Sequence, residues 1–207
     1  QFVCTAERPR TVHDFYGFPE ALYQVQYPAP GAPPLASRIT GLAAMAVMED
    51  PAWGLDHGAW SVLHFMYPNA DIPVCQLSVN AKNTPMESYD IGKALAPLRE
   101  EGVLILGSGN IVHNLARVDW DRPLGGYGWA DAFDGYIRSA LVEGRHGDVI
   151  HYQRAGSAAG QAFRYRDHYD PLLYALGATE SGESVGVFND ERVMGSLSMT
   201  SYIIGEI

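Results

Sequence analysis

Hydrophobic positions along this chain switch between helical and strand spacing, and they lay out most of the expected elements. Leu35, Ile39, Leu42 and Ala43 recur at helical spacing and predict a helix over 35–48. Trp60, Leu63 and Tyr67 predict another after Asp56, a suitable N-cap, which sets His57 at the helix entrance. The apolar stretch IPVCQLSV (72–79) predicts a strand. Thr84, Pro85 and Glu87 then form a capping box ahead of Ile91, Ala94, Leu95 and Leu98, with Gly102 as terminator. Trp129, Phe133, Tyr136, Ile137 and Ala140 line one side of a helix over 129–143, and 144–166 reads as polar and irregular. RDHYDPLLYALGA places His168 just before a short apolar helix closed by Gly177, and VGVF and SLSMTSYIIG predict two last strands. Near the start, Phe2, Val3 and Cys4 read as the tail of a strand. The stretch TVHDFYGFPEALYQVQYPAPGAPPLA is broken by Pro19, Pro28, Pro30, Pro33 and Pro34, so it predicts a long ordered loop with a short helix near 20–23.

The stretch around which these elements are arranged is VLILGSGNIVHNL, residues 103–115. Its unbroken apolar start, bounded by Gly107 and Gly109, has the pattern of a strand buried on both faces. With the preceding strand and helix it makes one crossover, expected to be parallel and right-handed. The fold class is therefore α/β, a single domain over 1–207 with a central, largely parallel or mixed sheet flanked by helices. In open sheets of this kind ligands bind beyond the carboxyl ends of strands, and His113 falls there.

Length and composition narrow the picture further. The chain has 207 residues, enough for a core without disulfides or structural metal, and neither internal repeats nor low-complexity tracts. Its formal charge of -10 gives no basic footprint for nucleic acid or an anionic membrane surface. No apolar run approaches the ~20 residues of a bilayer span. The 2 cysteines, Cys4 and Cys75, make neither a disulfide framework nor a zinc ribbon, which points to a reducing, cytoplasmic setting.

Candidate chemistry rests on the 7 histidines. His57, His113 and His168 each stand at an element end beside Asp56, Asn114 and Asp167, where an imidazole can be exposed and oriented. Spacing alone favours reading each of them as a surface or hydrogen-bonded structural histidine. His64 has a core position, whereas His146 and His151 lie in a polar segment and are expected to be solvated. Several motifs are absent: Gly107 and Gly109 are followed by Val112 where a dinucleotide fingerprint needs glycine, there is no phosphate loop or HExxH helix, and Ser108 lacks a nucleophile elbow.

Taken together, PRTVHDFYGFPEALY with YPAPGAP, WGLDHGAWSVL with MYPNADIPVCQLSV, LAPLREEGVLILGSGNIVHNL, DHYDPLLYALGA and MGSLSM resemble the class III extradiol ring-cleaving dioxygenases. The resemblance is to the DOPA 4,5-extradiol dioxygenase-like branch and runs through nearly the whole chain in order. It implies one non-haem metal, catalytically Fe(II), with Zn(II) able to occupy the site in purified protein. It also implies that His113 and His168 are metal ligands and that His57 is an acid/base beside the metal. His13, in the TVHDFYGFP loop, becomes a candidate substrate contact, and Asp167 and Asn114 become candidate supports of the ligands.

The partners so implied are a small catechol and O2. The reaction is insertion of O2 into an L-DOPA-like ring beside the diol, giving a muconic semialdehyde; another catecholic acid, protocatechuate-like or caffeate-like, is the alternative substrate. The family's other ligands lie in HGSP-like and SAHW-like motifs that these residues do not contain. The chain is therefore expected to lack an N-terminal strand-helix-strand portion of a longer protein. Were the truncation natural, a metal-free binding protein would be the alternative.

Overall fold

The computed structural model describes residues 1–43 and 47–205, which gather into two compact units, Gln1–Val79 and Asn80–Ile207.

In the first unit, strand β1 (Phe2–Cys4) pairs in parallel with β2 (Met48–Asp50), with Val3 opposite Glu49. The predicted loop carries helix α1 (Glu20–Tyr23) and leads into α2 (Pro33–Leu42), whose first-turn prolines suit a position where no N–H is needed. Of the helix predicted over 35–48, residues 44–46 lie outside the described residues, and Met48 belongs to β2. Helix α3 (His57–Met66) begins as predicted: the Asp56 carboxylate accepts the Ala59 N–H at 3.1 Å. The strand predicted over 72–79 is an extended segment making single bridges, Val74 to Gly31 and Leu77 to Val3. Pro73 has no N–H to contribute to a ladder there. Tyr27, Ala29, Leu55, Trp60, Leu63 and Ala70 form one core cluster of this unit, and Val3, Cys4, Ala36 and Ile39 are buried as well.

In the second unit, helix α4 (Pro85–Leu95) carries the full capping box, with Thr84 and Glu87 each accepting the other's backbone N–H. A short helix α5 (Pro97–Glu100) follows, and Gly102, at φ 77°, ends it in the left-handed region. The segment expected as a doubly buried strand departs from the pattern. Residues 103–106 join no ladder, and Leu104 and Leu106 are 62% and 42% exposed. Its glycines serve close approach instead. A Cβ on Gly109 would lie 2.1 Å from the His168 carbonyl oxygen, and one on Gly107 would lie 2.5 Å from that of Pro171.

Helix α6 (Gly128–Val142) buries Ala130, Phe133, Ile137, Ala140 and Leu141 as its spacing requires. The stretch expected to be irregular folds into α7 (His146–Ile150), a 3-10 segment (Tyr152–Ala158) and α8 (Ala159–Ala162), because Val149, Ile150, Ala158 and Ala162 find the core. Helix α9 (Asp170–Gly177) packs along α4 so closely that Gly92 faces the Tyr174 carbonyl and Gly177 the Tyr89 carbonyl. The last strands are β3 (Ser184–Phe188) with β6 (Ser201–Gly205), and β4 (Arg192–Val193) with β5 (Leu197–Ser198), both pairs antiparallel. The stretch read as one strand from SLSMTSYIIG is thus split between β5 and β6. Strands and helices are mixed, as expected for an α/β chain, and the described residues form three two-stranded sheets.

Candidate functional site

The expected residues fall into two constellations, one in each unit. In the first, His57 is the first residue of α3, and its Nδ1 lies 2.7 Å from Asp14 Oδ1. The same oxygen accepts the His57 backbone N–H at 3.1 Å. An ionised carboxylate can only accept, so Nδ1 carries the proton and the lone pair is left on Nε2. Partial burial pushes the Asp14 carboxyl up, but hydrogen bonds from the His57 ring and backbone outweigh it and hold it below its usual value. Both side chains keep access to water, at 42% for His57 and 43% for Asp14.

An aromatic wall stands beside this pair. Phe15 meets the His57 ring edge-on at 5.9 Å and 89°, and also packs on Phe18, Tyr23 and Trp60. His13 shares the wall at 5.5 Å from Trp60, and its Nε2–H donates to the Val25 carbonyl at 3.0 Å. One ring nitrogen of His13 is thereby committed to ordering the loop.

In the second unit, His113 and His168 come together although 55 positions separate them (168 − 113), their rings stacked at 3.6 Å and 7°. His113 is pinned from both sides: it bridges Phe163 and Leu197, and its N–H donates to the Ala162 carbonyl at 2.8 Å. Asn114 continues the clamp, its amide Nδ2 donating to the Gln161 carbonyl at 2.7 Å and its backbone N–H to Ser196 at 3.1 Å. His168 is fixed by its backbone, since its carbonyl accepts the Asn110 N–H at 2.8 Å directly against Gly109. Its Nδ1 is buried and lacks a hydrogen-bond partner. Asp167 Oδ2 stands 3.4 Å away, within ion-pair range but too poorly directed for a hydrogen bond.

Two neighbouring imidazoles are, in their neutral form, suitable donors for a borderline divalent ion. Their lone pairs lie in the ring planes, so parallel rings aim side by side, and one must turn about its Cβ–Cγ bond before both converge. Among the described residues no cluster of three or more His, Cys, Asp or Glu has metal-holding geometry, so these two supply part of a ligand set. Two residues along, the buried Asp170 carboxyl is pushed up to about 6 by desolvation, against the pull of Arg166 and Ser88.

Sequence reasoning missed Asp14 as the partner of His57, and it missed the clamp on His113 made by 161–163 and the MGSLSM segment. The HDF triplet was visible, but its pairing with residue 57 spans 43 positions and has no periodic signature. His146 was expected to be solvated; it is half-buried, its Nδ1 2.9 Å from the Tyr89 hydroxyl. No helix among the described residues is long and apolar enough to cross a membrane.

Comparison with known proteins supplies independent context. The family described as the catalytic LigB subunit of aromatic ring-opening dioxygenase matches residues 1–203. The 4,5-DOPA dioxygenase extradiol of Escherichia coli K12 is 42% identical over 210 residues, which cover 98% of this chain and 76% of the relative. Its counterpart from Beta vulgaris is 42% identical over 200 residues, covering 93% of this chain and 73% of the relative. The crystal structure of an uncharacterized Escherichia coli K12 protein, 36% identical, has a TM-score of 0.83 and covers 97% of this chain and 79% of that one.

Proposed function

The chain belongs to the LigB family as an extradiol aromatic ring-opening dioxygenase, an oxidoreductase, and from that premise we propose that its metal is non-haem Fe(II) and its substrate an L-DOPA-like catechol. The product of the proposed reaction is a muconic semialdehyde, with both atoms of O2 taken up as the carbon–carbon bond beside the diol breaks. Members of the family depend on a metal ion. The proposed setting is the reducing cytoplasm, and the proposed scaffold a central, largely parallel or mixed sheet flanked by helices.

The observation that carries the reading is the stacked pair of His113 and His168, two imidazoles brought together from distant parts of the chain. These two imidazoles would hold the ion, which when bound would accept the two catechol oxygens as a chelate and bring O2 to the ring. Asn114, anchored on Gln161, keeps the His113 backbone in place, and Asp167 stands ready to support His168. His13 is the proposed contact for a substrate carboxylate or hydroxyl. The reaction needs a group that removes the second catechol proton and returns one to the oxygen released as the O–O bond breaks. His57 suits both steps, because its Nε2 is left as the basic atom while Nδ1 is held by Asp14.

The test is anaerobic reconstitution of the protein with Fe(II), followed by L-DOPA and air, recording oxygen uptake and visible absorbance. The expected result is oxygen consumption with a yellow ring-opened product, lost in His113→Ala and His168→Ala. In His57→Ala it should be slowed by about 10²–10⁴-fold, the usual worth of a positioned acid/base. Uptake only with a protocatechuate-like or caffeate-like acid would keep the chemistry and replace the substrate. Silence across a catechol panel with iron bound would overturn the reading.

A further inference from the structure

We propose that Asp14 is the positioning residue that fixes the tautomer and direction of the His57 imidazole, forming an Asp–His pair. This rests on the reading of His57 as the acid/base. Asp14 Oδ1 receives two N–H groups of the same residue, the ring Nδ1–H at 2.7 Å and the backbone N–H at 3.1 Å. A two-point hold determines both where the ring begins and which way it faces, and the shorter contact has the length of a charge-assisted bond. Capping alone does not account for Asp14. Helix α3 already has its cap in Asp56, whose carboxylate takes the Ala59 N–H at 3.1 Å and whose own N–H is held by Gln76 Oε1 at 2.9 Å.

The chemical consequence follows from the ring itself. With Nδ1–H committed to Asp14, the lone pair sits on Nε2, on the opposite edge of the imidazole, and only there can the neutral ring accept a proton. When Nε2 takes that proton the resulting imidazolium still bonds the same carboxylate, whose negative charge favours it. Phe15, edge-on at 5.9 Å, narrows the swing of the ring. Without the carboxylate, the Nε2–H tautomer competes and places a proton on the atom that should receive one. The loop that supplies Asp14 therefore sets the tautomer of a residue 43 positions away.

The test is nitrogen-15 NMR of histidine-labelled protein, recorded without metal, for wild type, Asp14→Asn and Asp14→Ala, alongside turnover of the iron-loaded enzymes. Wild-type His57 should show the Nδ1–H tautomer, Asp14→Ala should lose it, and Asp14→Asn, whose neutral amide oxygen can still accept, should keep only part of it. Turnover should fall roughly 10–100-fold in kcat with KM little changed, a part of the whole acid/base effect. An Nδ1–H signal that persists in both variants overturns the proposal, as does a lost signal with unchanged kcat while His57→Ala is slow. If His57→Ala turns over like wild type, the acid/base reading itself falls, and the tautomer spectrum separates that failure from a missing Asp14 hold.

Discussion

Substituting Gly92 by alanine tests the packing that carries His168. A Cβ at this position would stand 2.1 Å from the Tyr174 carbonyl oxygen and 2.8 Å from its carbonyl carbon, both backbone atoms of α9. A tolerable carbon–oxygen contact is about 3.3 Å. The two helices would have to part by about 1 Å, and a Cβ on Gly177 would likewise lie 2.1 Å from the Tyr89 carbonyl oxygen, so the helices are equally close there. Overpacking of a core costs about 1–3 kcal/mol and sometimes more. The helix preference of alanine returns about 1 kcal/mol of this. With the clash against backbone rather than a flexible side chain, the upper part of the range applies, and the net loss should be about 2 kcal/mol. Urea unfolding followed by circular dichroism should then show a midpoint lower by roughly 1 M for a slope of about 2 kcal/mol/M. Gly135→Ala is the control: it lies on an exposed face of α6 with nothing within 4 Å of the added Cβ, and should gain about 0.5–1 kcal/mol. A Gly92→Ala midpoint at or above wild type would refute the close α4–α9 contact.

Asp134 is buried on α6 and accepts from Ser198 Oγ, from Thr200 Oγ1 at 3.0 Å and from the Arg192 guanidinium at 3.3 Å, so Asp134→Ala should cost about 3–5 kcal/mol in the same unfolding assay. Thr84→Ala removes one half of the α4 capping box and should lower stability by about 1 kcal/mol, with Thr84→Ser nearly silent. Burial holds the His146 imidazole below its usual range, so the unfolded chain binds that proton more readily. Stability should therefore fall as pH drops through the usual histidine range and recover above it, and His146→Gln should flatten that part of the unfolding-versus-pH curve.

Local signals carried helices α3, α4 and α6 and the strands at Phe2–Cys4 and Ser184–Phe188, and failed over 72–79, 103–106 and the helices of 146–162. Asp56, Thr84 with Glu87, and the stripe through Phe133, Ile137 and Ala140 act within a few residues, and each built the element expected of it. The apolar run at 103–106 could not reveal whether a partner strand lies beside it, and Leu104 is exposed. Gly107 and Gly109 were visible as breakers, but their purpose, admitting the carbonyls of Pro171 and His168, depends on a helix some 60 residues later. The histidines themselves stood out by position beside Asp or Asn. Their partners did not: the stack of His113 on His168 and the hold of Asp14 on His57 are long-range pairings with no sequence period.

The most direct measurement is product analysis after turnover of L-DOPA by the iron-reconstituted protein under isotopically heavy dioxygen. The account requires ring opening beside the diol, with heavy oxygen in the newly formed carboxylate. Cleavage between the two hydroxylated carbons, or a ring-opened product whose new carboxylate draws its oxygen from water alone, would contradict it.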